Sequence, residues 1–285
     1  MSEILIQCVV VLYECTVEDS RTLQALAKFC RQQNDLARRI DLLLYDNSSH
    51  PQTINLNQWI DCGSVEYCHA KENGGLLAAY TEALRRAREN GIDWLLLLDQ
   101  DTTLAPTMFP VLFSELRSSL TPNICALVPK LMQNGLIISP QIVGRFLNHD
   151  CSAAFSGISS KTITAFNSAA CLRVQALDAI GGFPRDYWLD FLDYIMFHRL
   201  QAAGGQVLIL DITMEHHLSL RNLETEMSLV RYANVLASEW RFIRETGSRG
   251  GPLIHRLRLF KRAFGYSFNL KNKAYALITL RAILE

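Results

Sequence analysis

Short apolar segments alternate with longer amphipathic segments from the start of the chain to Leu210. The apolar segments predict strands, because several are continuous aliphatic runs typical of strands buried on both faces. The amphipathic segments predict helices, because their apolar residues recur at spacings of three and four. The predicted strands are Ile4–Leu12, Ile40–Leu44, Val65–Cys68, Trp94–Leu98, Ile124–Val128 and Gln206–Leu210.

The predicted helices are bounded by glycines and by a proline, which are typical of helix ends. Strands that alternate with helices indicate an α/β fold around a mainly parallel sheet flanked by helices. The segment Lys130–Thr164 is less regular and predicts a hairpin with a mobile loop over a site. The predicted helices are Ser20–Arg39, Leu76–Arg88, Pro106 to about Ser119, Arg173–Ile180 and Asp190–Ala203.

Composition and charge divide the chain into two regions. With 49% hydrophobic and 20% charged residues, the chain is not typical of a disordered, collagen-like or coiled-coil protein. The 28 basic and 28 acidic residues balance, so no nucleic-acid partner is expected. Residues 241–285 nevertheless hold ten basic residues and two acidic ones. We therefore predict an α/β domain over 1–220 and a basic helical extension over 221–285.

The basic extension contains an amphipathic pattern with two interpretations. A basic amphipathic helix can rest on an anionic membrane surface. Alternatively, the helix packs its apolar stripe on the α/β domain or on a second subunit, with its charges in solvent. The pattern consists of Leu253, Leu257, Phe260 and Phe264, with Arg256, Lys261 and Arg262 among them.

The cysteines and the N-terminus predict a cytoplasmic protein with free thiols. None of the eight cysteines forms a CxxC pair, which argues against a zinc knuckle or a dense disulfide scaffold. The start Met-Ser-Glu lacks the basic region of a signal peptide. No apolar run approaches the roughly 18 residues that a membrane span needs.

Two carboxylates follow the most apolar predicted strand, in the sequence Asp99-Gln100-Asp101. A buried parallel strand delivers such residues to the carboxyl edge of the sheet, where α/β proteins bind ligands. The pair could share a hard divalent cation, which in turn holds a diphosphate. The alternative is a polar turn before the helix at Pro106.

A second acidic pair lies at Asp190 and Asp193. Residues three apart on a helix face the same side. Asp190 also suits a helix N-cap. Asp193 has mainly apolar neighbours, and a carboxylate in such surroundings can act as a general base.

Two further strand ends carry polar residues. Asp46, in Tyr45-Asp-Asn-Ser48, could contact a base or a ribose, or could form an Asx turn. His216-His217 follows the last predicted strand. An imidazole there could be a metal ligand, or an ordinary core or surface histidine.

Together, these motifs resemble family 2 glycosyltransferases with the GT-A fold, a Rossmann-like α/β architecture. More narrowly, they resemble the bacterial rhamnosyltransferases that use dTDP-rhamnose. The resemblance spans about residues 4–220. It rests on Val10-Val-Leu-Tyr13, Tyr45-Asp-Asn-Ser48, Glu72-Asn-Gly-Gly-Leu76, Leu97-Leu-Asp-Gln-Asp-Thr102, Gly181-Gly-Phe183, Trp188-Leu-Asp-Phe-Leu-Asp193 with Arg199, and His216-His-Leu218.

The resemblance implies an inverting single displacement with Asp193 as the catalytic base. It places Mg²⁺ or Mn²⁺ at Asp101, with His216 approaching the metal. Asp46 would contact the pyrimidine base and Asp99 would lie near the ribose. The nucleotide-sugar contacts implied are Tyr13, Asp46, Asn73, Asp99, Trp188 and Asp190.

The resemblance also implies partners and a location. The acceptor would be a saccharide or a lipid-linked saccharide, in the assembly of a bacterial surface polysaccharide such as O-antigen or capsule. The location would be the cytoplasm, with optional peripheral contact at the inner face of the plasma membrane through residues 241–285. Whether the chain forms a homo-oligomer is left open.

Three alternatives remain at this point. The donor could be a UDP-sugar. The sequence Asp99-Gln-Asp101-Thr-Thr103 also fits a haloacid-dehalogenase-like phosphatase with Asp99 as the nucleophile. A non-catalytic saccharide binder could share the same fold.

Overall fold

The chain is described by a computed structural model over residues 3–55, 59, 61–118, 120–144, 148–152, 154–216, 223–247 and 250–284. It comprises two compact units. The first contains Met1–Ile142 and Asp150–His217, and the second contains Val143–His149 and Leu218–Glu285.

The described strands include all six that the apolar pattern predicts. They are β1 (Ile6–Leu12), β2 (Ile40–Asp46), β3 (Ser64–His69), β4 (Trp94–Asp99), β5 (Ile124–Gln133), β6 (Leu136–Ser139), β7 (Gln141–Ile142), β8 (His149–Asp150), β9 (Gly157–Ile158), β10 (Ile163–Thr164), β11 (Cys171–Arg173) and β12 (Gln206–Glu215).

The main sheet has the order β3-β2-β1-β4-β11-β5-β12-β9, with β6 beside β5. Strands β3, β2, β1 and β4 are mutually parallel, and β12 is parallel to β5. This confirms the mainly parallel sheet. The short strand β11 is antiparallel to both β4 and β5, between which it lies. Its three residues are too few to show a hydrophobic period, so the pattern did not predict it.

The helices of the first unit mostly lie where they were predicted, but one predicted helix is divided into two. They are α1 (Arg21–Gln32), α2 (Asn34–Ala37), α3 (Gly75–Glu89), α4 (Met108–Arg117), α5 (Val174–Ala179) and α6 (Leu192–Ala202). The predicted helix Ser20–Arg39 is two helices, because Gln33 leaves the helical conformation with φ −136°. One such residue interrupts the hydrogen bonding without disturbing the apolar spacing. The predicted end of α4 near Ser119 lies outside the described residues.

The hairpin expected in Lys130–Thr164 joins β5 to β6. Its turn is Asn134-Gly135, and both residues have positive φ, as a two-residue hairpin turn requires. A small sheet follows, in the order β10-β7-β8.

The described part of the second unit after residue 222 is helical, as predicted. Its helices are α7 (Leu223–Glu226), α8 (Leu229–Thr246), α9 (Gly251–Asn269) and α10 (Ala274–Ala282). Their core contains Tyr232, Leu236, Trp240, Leu259 and Tyr275. Buried polar groups tie the helices together, since Trp240 Nε1 donates to the carbonyl of Ala282 at 2.5 Å. No helix in the described ranges is long and apolar enough to span a bilayer.

Candidate functional site

Three parallel strands deliver polar residues to the same edge of the main sheet. Leu12 of β1 lies beside Asp46 of β2, and Val11 lies beside Asp99 of β4. The side chain of Gln100 joins two of these strand ends. Its Oε1 accepts from the Tyr13 N–H at 2.7 Å, and its Nε2 donates to the Tyr13 carbonyl at 3.3 Å. Tyr13 and the acidic turn after β4 are therefore held together.

The carboxylate of Asp46 organises the loop after β2. It is fully buried. One oxygen accepts from the Ser48 N–H at 2.9 Å, which is an Asx turn. The other accepts from Gln52 Nε2 at 2.9 Å and from the Tyr67 hydroxyl at 2.8 Å. Contact between Asp46 and a pyrimidine base stays a prediction.

The loop before α3 brings Asn73 and Trp188 to one place. Asn73 Oδ1 accepts from the Gly75 N–H at 2.9 Å, and Asn47 Nδ2 donates to the Gly75 carbonyl at 3.1 Å. Gly75 has φ +65°, and a Cβ there would lie 2.4 Å from the carbonyl oxygen of Trp188. That carbonyl accepts from the Leu77 N–H at 3.1 Å. Only glycine permits this close approach.

Asp193 lies in the first turn of α6, after Phe191, which has φ +66°. Its Oδ1 accepts from the Tyr194 N–H at 2.8 Å. Burial raises the pKa of Asp193 to about 7, and the negative charges of Asp99 and Asp190 add to the rise. A carboxylate with a pKa near 7 is matched to proton abstraction at neutral pH. Asp190 is half-buried and lies before the helix, since Phe191 is the N-cap residue, so the predicted capping role of Asp190 is wrong.

Asp99 is held at the end of β4 by hydrogen bonds from two hydroxyl groups. Ser168 donates to its carboxylate, and Thr22 Oγ1 donates to its backbone carbonyl at 2.5 Å. Burial raises the pKa of Asp99, the Ser168 hydrogen bond opposes the rise, and the charge of Asp101 adds to it. Two carboxyl groups with raised pKa values therefore lie near each other, as is typical of functional sites.

Tyr80 of α3 is a site residue that the sequence pattern did not single out. It is fully buried, and burial raises the pKa of its hydroxyl, with further contributions from the charges of Asp99 and Asp193. The hydroxyl therefore lies close to both carboxylates. In the sequence, Tyr80 belongs to the inward apolar face of a helix, so periodicity marked it as a core residue.

Asp101 is exposed and borders a solvent-open depression of about 440 Å³. Gln100, Cys15, Asp19 and Arg21 also line it. Arg21 brings a positive charge to this acidic edge. Asp101 thus faces solvent while Asp99 faces the protein interior, so the two carboxylates have different environments.

His216 follows β12, and its backbone N–H donates to the Met132 carbonyl at 2.9 Å. The side chain is 7% exposed, and within the described part of the chain its Nδ1 has no hydrogen-bond partner. An electrostatic interaction with His216 lowers the pKa of Asp99, which places the imidazole near that carboxyl. An unpartnered buried nitrogen fits a ligand site. His217 lies outside the described residues.

The chemistry of these groups fits a divalent cation held jointly by protein and substrate. Among the described residues, no three His, Cys, Asp or Glu side chains are close enough to hold a metal ion. Mg²⁺ in nucleotide sites is usually held by one or two carboxylates together with substrate phosphates. Asp101 and the unpartnered Nδ1 of His216 suit that shared coordination.

Comparison with known proteins assigns the sequence to a family. The profile described as glycosyl transferase family 2 matches residues 8–180. That match includes the positions of Tyr13, Asp46 and Asp99. No curated protein matches the chain.

Solved structures resemble the chain at low sequence identity. S. aureus TarS has 14% identity and a TM-score of 0.55, over 94% of this chain and 46% of that one. GalNAc-T7, solved with UDP, GalNAc and Mn²⁺, has 11% identity and a TM-score of 0.62, over 99% and 56%. The mannosyltransferase PcManGT from Pyrobaculum calidifontis, with GDP-Man and Mn²⁺, has 13% identity and a TM-score of 0.52, over 98% and 73%.

These likenesses show the GT-A fold. This chain spans about half the length of the first two of these proteins.

Proposed function

Because the chain belongs to glycosyl transferase family 2, we propose that it is an inverting transferase that moves rhamnose from dTDP-rhamnose to an acceptor hydroxyl. The acceptor is a saccharide or a lipid-linked saccharide of a bacterial surface polysaccharide. Family membership supports glycosyl transfer and favours it over the phosphatase alternative.

The observation that carries the mechanism is the convergence of carboxylates from β4 and α6. Asp101 faces the open depression, while Asp193 is half-buried beside Asp99 and Tyr80. One exposed carboxylate and one with a pKa near 7 suit two different tasks. The exposed carboxylate of Asp101 suits the binding of a cation and a diphosphate, and that of Asp193 suits removal of the proton from the acceptor hydroxyl.

In the proposed mechanism, Asp193 takes the proton of the acceptor hydroxyl as that oxygen attacks the anomeric carbon. The new glycosidic bond forms as the bond to the nucleoside diphosphate breaks, so the anomeric configuration inverts. The Tyr194 N–H holds Oδ1 of Asp193 in place. Asp101 and His216 would hold Mg²⁺ or Mn²⁺, which would supply positive charge to stabilise the departing diphosphate.

The proposed nucleotide pocket is the edge formed by the ends of β1, β2 and β4. Tyr13 is exposed there, and Trp188, which is less exposed than Tyr13, lies beside the loop of Asn73. Aromatic faces and an amide suit a base and a sugar. The rhamnose assignment rests on the motifs Asp99-Gln-Asp101 and Trp188 to Asp193. GalNAc-T7 was solved with UDP, which makes a UDP-sugar the competing donor.

The proposed compartment is the cytoplasm. All eight cysteines are free thiols, and the sulfurs of Cys30 and Cys62 lie 3.2 Å apart without a bond. Unbonded neighbouring thiols suit a reducing environment.

The donor is tested by thermal shift with dTDP, dTDP-rhamnose, UDP and UDP-sugars, each with and without Mg²⁺ or Mn²⁺. A ligand that binds the native state at a hundred times its Kd adds about 2.7 kcal/mol to the free energy of unfolding. We expect a metal-dependent shift with dTDP-rhamnose that Asp101→Ala abolishes. Asp35→Ala, an exposed aspartate on α2, is the matched control and keeps the shift.

The outcomes separate the alternatives. A shift with UDP compounds alone overturns the rhamnose donor and keeps the transferase. A shift with dTDP-rhamnose but no sugar transfer or donor hydrolysis in any acceptor mixture indicates a saccharide binder. No shift with any nucleotide, in protein shown to be folded, contradicts the nucleotide-sugar site.

A further inference from the structure

Helix α9 has two apolar faces, of which one is buried and the other is exposed in the described part of the second unit. Leu259 and Ala263 belong to the buried face, inside the second unit. The other face carries five large apolar side chains that are between 60% and 72% exposed. At 3.6 residues per turn, their spacing confines them to an arc of about 80°. They are Leu253, Leu257, Phe260, Phe264 and Phe268.

An exposed stripe of this kind is unusual, because single exposed apolar residues are common but contiguous ones mark an interaction surface. The rings of Phe264 and Phe268 lie 4.9 Å apart, so the stripe is continuous there. Helix α10 also exposes Leu277 and Leu280, which are three residues apart.

Positive charge borders the stripe on both sides. Arg256 and Lys261 are exposed, and helical geometry places one at each flank of the stripe. Neither α9 nor α10 contains an acidic residue. Arg262 points elsewhere, since it bonds the buried Glu239 at 2.8 Å. The surface is therefore apolar at its centre and cationic at its edges.

We infer that this face of α9 docks on an anionic lipid surface, with the helix lying in the plane of the membrane interface. The apolar stripe would enter the acyl boundary, while Arg256 and Lys261 would meet anionic headgroups. A second copy of the chain is a poorer occupant. A two-fold interface presents the same patch twice, and α9 offers no carboxylate to oppose its own cations.

This docking surface does not depend on the proposed donor or on glycosyl transfer. The docking surface would locate the protein at a membrane. A transferase held there would meet lipid-linked acceptors by diffusion in the plane of the membrane. Failure of the transferase assignment would leave the surface intact, and failure of the surface would leave the transferase intact.

The test is flotation of the full chain with vesicles of phosphatidylcholine alone or with phosphatidylglycerol, at 0.1 M and 1 M salt. We expect binding to the anionic vesicles that weakens at high salt, because screening shortens electrostatic range. The double variant Arg256→Gln/Lys261→Gln should lower the partition coefficient about 30-fold, at about 1 kcal/mol per cation. Phe260→Ser/Phe264→Ser should lower it about 100-fold or more.

A matched control removes two exposed apolar side chains elsewhere. Leu136→Ser/Ile158→Ser changes residues of β6 and β9 and should bind vesicles like the wild type. All variants should keep a Tm close to that of the wild type, since the replaced side chains are exposed and Arg256→Gln loses only a cation–π contact with the Trp240 ring. Equal binding by the α9 variants and the control overturns the proposal, as does absence of binding by the wild type. A wild-type dimer that Phe260→Ser/Phe264→Ser converts to monomer, without vesicle binding, assigns the face to a second copy.

Discussion

The two units of the protein each bury carboxylates, but they differ in whether an arginine or lysine pairs with the negative charge. In the second unit, Glu239 is buried and Arg262 bonds both of its oxygens, at 2.8 and 3.2 Å. Burial by itself lowers the pKa of Arg262, yet the charge and hydrogen bonds of Glu239 outweigh it and the net shift is upward. In the first unit, neither Asp99 nor Asp193 has a lysine or arginine partner among the described residues, and their pKa values rise.

This difference separates a structural carboxylate from candidate functional ones. A buried ion pair is neutral as a unit and completes itself within the protein. Asp99 and Asp193 have no such ion pair, although the nearby His216 lowers the pKa of Asp99, so both carboxylates carry a desolvation cost that a cation would offset. These carboxylates can therefore bind a cation, a substrate or a proton, which is the chemistry proposed for the first unit.

The largest effect is expected on turnover. Asp193→Asn keeps the shape of the side chain but removes its ability to accept a proton, so kcat should fall by about 100-fold or more. Steady-state assays with the donor identified by thermal shift measure this. Asp178→Asn, which breaks only a surface pair with Arg88, should leave kcat unchanged. Near-normal turnover in Asp193→Asn removes Asp193 from the role of base.

Breaking the ion pair in the second unit tests the other half of the comparison. Arg262→Met leaves the Glu239 carboxylate buried without its guanidinium, which should lower the free energy of unfolding by about 3 kcal/mol. Denaturant unfolding measures the change. The double variant Glu239→Leu/Arg262→Met should recover most of the loss, because the isolated charge is gone. If the single variant is as stable as the wild type, Glu239 needs no partner and the contrast between the units disappears.

In the first unit, neutralising the carboxylate of Asp193 should raise the free energy of unfolding, which is the opposite of the effect expected for Arg262→Met in the second unit. The pKa of Asp193 is about 7 in the folded state and near 3.8 when unperturbed. The folded state therefore binds the proton more tightly, and stability falls as pH rises from about 4 to 7. Asp193→Asn escapes that loss, so its free energy of unfolding should exceed that of the wild type by up to about 4 kcal/mol at pH 8, with the excess shrinking toward pH 4. The same variant would thus be inactive and more stable, and a lower stability at pH 8 contradicts the raised pKa.

The sequence predicted the strand ends better than the contacts between them. The apolar runs before Asp99 and after Asp193 are local signals, and both residues lie at the candidate site. Ser168 and Tyr80 meet Asp99 only through tertiary structure, and Tyr80 has the spacing of a core residue. In the second unit, periodicity found the stripe of α9 but could not tell which of its two apolar faces the fold covers.

The smallest expected effect concerns the influence of Asp99 on Asp193. Because Asp193 must be ionised to accept a proton, kcat should fall below pH 7 with a midpoint near that value. Asp99→Asn removes a negative charge that raises the pKa of Asp193, so the midpoint should move to lower pH by less than one unit. The pH dependence of kcat, at saturating donor, measures this separately from any loss of donor affinity. An unmoved or higher midpoint would show that the two carboxylates do not share one electrostatic environment, and the first unit would then hold two independent acids.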